Sequence, residues 1–235
     1  MQVRKRDGTL EDLNIDKLHK VVQYACEGIT GVSASQVEIN SNIQFFDGIV
    51  TEDVQETLIK SAADLISEET PNYQYVAGRL INYHLRKQVY NTFEPPCLCD
   101  IIQDNIDSGF YDSEFVELYT KEEINTLQTY IRHDRDEVLT YAAMEQFRGK
   151  YLVQNRATGQ IYETPQVAYM MIAATLFGKY HPKKRMAYVK SYYDAISTFK
   201  ISLPTPVMAG VRTPQRQFSS CVLIETDDSL DSINA

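Results

Sequence analysis

The chain has 235 residues, 43% hydrophobic and 23% charged, a balance typical of a soluble globular protein that could form one large domain or two ordinary ones. Its formal net charge of -9 argues against a general polyanion-binding surface, and so against nucleic acid as a partner, and leaves any phosphate site to local basic residues. No run approaches the roughly 18 apolar residues of a membrane span, and the start Met1-Gln2-Val3-Arg4-Lys5-Arg6-Asp7 lacks a signal peptide's apolar region, so a cytoplasmic location with no membrane partner is expected. The four cysteines, Cys26, Cys97, Cys99 and Cys221, are then expected as reduced thiols.

Val3 to Arg6 and Thr9 to Leu13 read as a hairpin around Asp7-Gly8, a pair suited to a type I′ turn. Asn14 is placed to cap a helix whose apolar residues Ile15, Leu18, Val22, Cys26 and Ile29 recur at helical spacing until Gly28 and Gly31 interrupt it. Further helices are predicted over 35–45, over 51–66 with Thr51 as its cap, and over 72–89, giving a small helical bundle beside a hairpin. Glu94-Pro95-Pro96 ends that unit, since proline cannot continue the preceding helix.

Cys97-Leu98-Cys99 lacks a second pair of ligands at metal spacing and reads as structural. Short amphipathic helices with acidic solvent faces are predicted over 101–108, 112–120 and 121–131. His133-Asp134-Arg135-Asp136 mixes catalytic residue types, but the simpler reading makes Asp134 or Asp136 the opening of a helix over 137–147. A hairpin around Ala157-Thr158-Gly159, then Thr164-Pro165 opening a nearly apolar helix over 167–177, and a helix over 184–199 complete this region. Pro204, Pro206, Gly210 and Pro214 are expected to exclude a helix, and Phe218 to Ile224 reads as a strand, short and apolar enough for a buried parallel one. It carries Cys221, which taken alone fits a packed thiol better than a reactive one. The last tract, from Thr226, reads as a helix start capped by Asp227 or Asp228.

Several of these stretches resemble a known family. SLPTP followed by RTPQRQFSSC, with KYLVQN, TGQIYETPQ and YDAIS upstream, closely resembles the large (alpha) subunit of class I ribonucleotide reductase, and the likeness runs from the first residues to the last. KRDG, the IDK helix start, the TEDV turn and the HLRK helix end resemble its ATP-cone, a nucleotide-sensing module. The resemblance implies a mainly α architecture in which an ATP-cone helical bundle with a small β-hairpin (1–92) precedes a helical domain (93–200). Residues 201–235 would then begin a ten-stranded α/β barrel, and the chain would be a truncation or one piece of a split subunit.

The same resemblance implies the sites. ATP or dATP, as allosteric effectors, would contact Lys5, the segment Glu11, Asp12, Leu13, Asn14, Ile15, Asp16 and Lys17, then Thr51 and Lys87. Lysines suit a triphosphate, and Thr51 offers a hydroxyl at a helix N-terminus. One departure is Gln55, at a position where a related bacterial subunit carries histidine. Thr205 and Ser220 would contact a ribonucleoside diphosphate, Cys221 would be one member of the reducing thiol pair, and Asp228, Ser229 and Leu230 would belong to a specificity site at a dimer interface. No metal is expected in this chain, because a radical-generating small (beta) subunit would carry it. The other implied partners are the remainder of the large subunit, a second large subunit, and thioredoxin or glutaredoxin. The alternative is a free-standing ATP-cone regulator without catalysis.

Overall fold

The computed structural model describes residues 1–5, 8–42, 44–221 and 223–234. It is mainly helical, with one small sheet at its N-terminal end. Strand β1 (Gln2–Arg4) pairs antiparallel with β2 (Leu10–Asp12), placing Val3 opposite Glu11, and parallel with β3 (Ile49–Val50), placing Val3 opposite Ile49. The expected turn at Asp7 and the end of the first strand at Arg6 lie outside the described residues, but Gly8 has the positive φ of 85° that such a turn requires. The two-residue strand β3 was not legible in the sequence, since Ile49-Val50 is too short to show a period.

Helix α1 (Ile15–Cys26) starts as expected, with Asn14 Oδ1 accepting from the Lys17 amide at 2.9 Å. Helices α2 (Ala34–Asn42), α3 (Thr51–Ala63) and α4 (Tyr73–Tyr90) follow. Thr51 is not the cap of α3: Val50, extended in β3, holds that position and makes Thr51 the first helical residue. Helix α4 stops at Asn91, whose φ of 60° is a left-handed C-cap. Val3, Ile49 and Val54 form a small apolar cluster under the sheet, completed by Leu13, Leu18 and Phe45.

Helices α5 (Leu98–Asp107), α6 (Glu114–Leu118) and α7 (Lys121–Tyr130) match the three predicted amphipathic helices, and α7 opens on a capping box between Thr120 and Glu123. The helix expected over 137–147 is different. Residues His133–Val138 form a 3-10 turn, α8 (Tyr141–Gln146) begins only after Thr140 caps it, and Phe147–Tyr151 widen into a π turn. Asp136 caps nothing, because it is fully buried and accepts from Gln166 Nε2 at 2.8 Å.

Helix α9 (Pro165–Phe177) has proline at its first position and is apolar on every side, and accordingly lies buried against α10 (Pro182–Ser197). The prolines of 204–214 do not exclude a helix: α11 (Thr205–Gly210) starts with Pro204 as its cap and Pro206 in its first turn, where an amide donor is not needed. No strand forms among the described residues of 218–224. They are exposed, because a parallel strand needs neighbours to accept its hydrogen bonds and none lies alongside. The last helix, α12 (Leu230–Asn234), is capped by Ser229, whose Oγ accepts from the Ser232 amide at 3.2 Å, in place of the expected Asp227 or Asp228.

One continuous core runs from Val21 to Val211 and crosses the proline boundary at 95–96. Its axis is α4, whose Gly78 lies so close to the Leu139 carbonyl that an added Cβ would approach that oxygen to 2.1 Å. The module at the N-terminus is therefore packed on the helices that follow it.

Candidate functional site

The sheet and the ends of three helices enclose a pocket of about 830 Å³. Its lining includes Lys5 and Glu11 from the hairpin, Leu13, Asn14 and Lys17 from the start of α1, Thr51 from the start of α3, and Lys87 from the last turns of α4. These seven are among the ten positions expected at the effector site; Asp12, Ile15 and Asp16 do not line the pocket. The local reason is alternation and helical pitch. Asp12 follows Glu11 on a strand and so faces away, while Ile15 and Asp16 lie on the outer side of α1, with Ile15 69% exposed.

The pocket's electrostatics are mixed, with cations in the majority. Lys5 Nζ is paired with Glu11 Oε1 at 2.7 Å, and Lys87 Nζ sits 4.4 Å from the centre of the Tyr83 ring. Lys17 and Lys20 add two further cations, and Glu52 a second carboxylate. Thr51 and the amides behind it stand at the N-terminus of a 13-residue helix, an anion-attracting position, although Glu52 and Asp53 already offset part of that field. Tyr24 and Tyr83, with ring centres 6.4 Å apart and planes tilted by 48°, line one side of the cavity, and Gln55 lines it too. Burial, and next Glu137, push the Tyr24 hydroxyl above its ordinary range, so it stays a neutral donor.

Lys20, Tyr24, Tyr83, His84 and Asn91 were missed by the sequence reading. Their signal was helical spacing: Tyr83, Lys87 and Asn91 are four apart on α4, and Lys17, Lys20 and Tyr24 recur at three and four on α1. His84 also reaches towards the second half of the molecule. Its Nε2 lies 3.6 Å from Glu56 Oε1, and Glu56 in turn accepts from Arg148 Nη1 at 2.7 Å.

The remaining expected site residues are on the surface and are not gathered into a pocket. Cys221 is an exposed free thiol with Ser220 Oγ 3.8 Å from its sulfur. Thr205 opens α11, and among the described residues no hydrogen bond joins it to Ser220 or Cys221. Asp228, Ser229 and Leu230 are exposed at the start of α12. Among the described residues no group of three or more His, Cys, Asp or Glu side chains is placed to hold a metal ion, and no helix is long and apolar enough to cross a membrane.

A cation-rich pocket closed by a three-stranded sheet, followed by a helical domain, is the arrangement of two known domain families in series. Residues 1–88 match the ATP cone domain, and residues 137–216 match the all-alpha domain of ribonucleotide reductase. The chain belongs to the family of ribonucleoside-diphosphate reductase alpha subunits and corresponds to their N-terminal region. It is 58% identical over 99% of its length to ribonucleoside-diphosphate reductase 1 subunit alpha of Escherichia coli (strain K12), of which it covers 31%. It is 57% identical over all its residues to the alpha subunit of Haemophilus influenzae, and 46% identical to that of Enterobacteria phage T4, covering 31% of each. The chain thus spans about a third of the length of the curated relatives it matches.

Proposed function

We propose that this chain is the nucleotide-sensing, N-terminal part of a ribonucleoside-diphosphate reductase large subunit. The observation that carries the reading is the convergence of Lys5, Glu11, Leu13, Asn14, Lys17, Thr51 and Lys87 on one pocket from four separate elements. ATP or dATP binds there, the triphosphate held by Lys5, Lys17 and Lys87 with the Thr51 hydroxyl and helix N-terminus, and the base against Tyr24 or Tyr83. Lys5 exchanges Glu11 for a phosphate oxygen when nucleotide enters. The match to the all-alpha domain favours this reading over a free-standing regulator, which would need no such domain.

In the complete enzyme, ribonucleoside diphosphates are reduced to deoxyribonucleoside diphosphates. Cys221 supplies one thiol of the reducing pair and ends the cycle in a disulfide, which thioredoxin or glutaredoxin reopens. Thr205 and Ser220 hold the substrate, and Asp228, Ser229 and Leu230 serve the specificity effector at a large-subunit dimer interface. The segment from 201 joins an α/β barrel supplied by the remainder of the subunit. A small subunit brings the radical and its metal. All of this takes place in the cytoplasm.

Titration calorimetry of the chain with ATP tests the pocket assignment. Lys87→Ala weakens ATP binding by about tenfold or more, the effect expected when one charge-assisted phosphate contact is lost. Unchanged affinity in both Lys87→Ala and Lys17→Ala refutes the site.

A further inference from the structure

Two thiols outside the nucleotide pocket and away from Cys221 stand side by side at the start of α5. Cys97 is the N-cap of that helix with an extended ψ of 137°, so its side chain leaves the helical path and turns back over the first turn, where Cys99 lies. Both sulfurs address one face of α7. Cys97 Sγ donates to Gln128 Oε1 and Cys99 Sγ to Asn125 Oδ1, each at 3.4 Å. Asn125 and Gln128 are three residues apart on a helix and are therefore neighbours, so the two sulfurs lie against adjacent positions of α7. Both cysteines are partly exposed. Residues two apart at a helix start have Cα atoms about 5–6 Å apart, inside the range that disulfides span.

We propose that Cys97 and Cys99 are a dithiol modification site, which small-molecule disulfides such as oxidised glutathione convert reversibly to an intramolecular disulfide. The Cys97 sulfur, as thiolate, attacks the glutathione disulfide; a Cys97–glutathione bond forms and the first glutathione leaves and takes a proton. The Cys99 sulfur then attacks Cys97 Sγ, closing the protein disulfide and releasing the second glutathione. Two electrons and two protons pass from the cysteines to the two glutathiones. Burial, and then the Cys97 thiol itself, push the Cys99 thiol above its ordinary range, with Lys121 acting in the opposite direction. The second step is intramolecular between sulfurs held against adjacent positions of α7, so the mixed disulfide does not accumulate. The short ring it closes is strained, which makes it readily reducible. Gln128 Oε1 also accepts from the Leu98 amide at 3.0 Å, so the helix start keeps a partner when the Cys97 proton is gone.

The native chain is incubated with oxidised glutathione near neutral pH, quenched with acid, alkylated and mapped by mass spectrometry. The peptide carrying both cysteines is expected to lose two hydrogens and resist alkylation in most molecules, and dithiothreitol restores two alkylatable thiols. In Cys99→Ser the same treatment leaves a stable glutathione adduct on Cys97. Equal alkylation of Cys97 and Cys99 before and after treatment, stable glutathione adducts on both in the wild-type chain, or disulfides linking them to a second chain would each overturn the assignment.

Discussion

Arg212 and Glu163 form an ion pair buried beyond the reach of solvent, and it ties the proline-rich segment to the hairpin that precedes α9. Arg212 Nε donates to Glu163 Oε2 at 2.8 Å, while its other nitrogens donate to the carbonyls of Met208 and Tyr151. Glu163 also accepts from the Tyr111 hydroxyl at 2.5 Å and from the Val153 amide at 2.7 Å. Four stretches distant in sequence are thus held by one carboxylate and one guanidinium.

Because the pair is desolvated and fully hydrogen-bonded, removing one member strands the other charge in the interior. Glu163→Gln is expected to lower the unfolding free energy by about 3–5 kcal/mol, measured by urea denaturation. By contrast Lys190→Gln, which breaks the exposed pair with Asp194 at 2.9 Å and leaves Asp194 its partner Arg135, should change it by less than about 1 kcal/mol. Similar midpoints for the two variants would show that Glu163 does not hold the segment.

Gly78 gives a test in which two effects have opposite signs. Alanine in a helix interior is favoured over glycine by about 1 kcal/mol. Here its Cβ would meet the Leu139 carbonyl at 2.1 Å, and that atom is backbone and cannot rotate away. Overpacking of this kind costs about 1–3 kcal/mol or more, so Gly78→Ala should lower the melting temperature. A raised melting temperature would mean that α4 does not approach residues 139–140 this closely.

Much of this architecture was legible because local signals agreed with the tertiary answer. Asn14 before an apolar-periodic run and Thr164-Pro165 each specify a helix end by a backbone mechanism that needs no distant partner, whereas α4 ends at the left-handed Asn91, ahead of the prolines at 95–96. The pocket was legible in part, because Lys5, Lys17 and Lys87 belong to recognisable words, whereas Tyr24 and Tyr83 reach it only through helical pitch. Asp136 was misread because its sequence surroundings are those of a solvated helix cap. Its actual role depends on Gln166 and Arg86, 30 and 50 positions away, which no local pattern encodes. The same holds for α11, where the proline rule is valid for a helix interior but the prolines fall at its start.

The cysteines should differ in reactivity by their surroundings. Burial pushes the Cys26 thiol up to about 11, so almost none of it is thiolate at neutral pH, while Cys221 is exposed. Timed alkylation of the native chain should label Cys221 first and Cys26 last, with the two converging only after unfolding. Early labelling of Cys26 would place it outside the packing between α1 and its neighbours.

The most specific expectation concerns pH, because a buried carboxyl and a half-buried imidazole in one cluster titrate with opposite signs. Burial, eased by the hydrogen bond from Gln166 and by Arg86, whose Nη2 is 3.9 Å away, raises the Asp136 carboxyl to about 7. Burial, and then Arg86, lower the His133 imidazole to about 4. Asp134 and Glu137 face the same cluster and act on Asp136 in the raising direction. An acid whose folded pKa is raised holds its proton in the folded state while the unfolded chain has lost it, so stability falls as pH rises from about 4 to about 7, by at most about 1.4 kcal/mol per unit. A histidine whose folded pKa is lowered has the unfolded chain binding the extra proton, so stability rises with pH between about 4 and about 6.5 by a comparable slope. In the wild-type chain the two limbs largely cancel. Asp136→Asn should therefore expose the histidine limb, a stability that climbs from pH 4 to 6.5, and His133→Gln should expose the opposite one, falling from pH 4 to 7. Urea midpoints of both variants taken across that window decide the matter: an Asp136→Asn curve that tracks the wild type while His133→Gln flattens it would mean that Asp136 is ionised in the folded protein and paired as a carboxylate with Arg86.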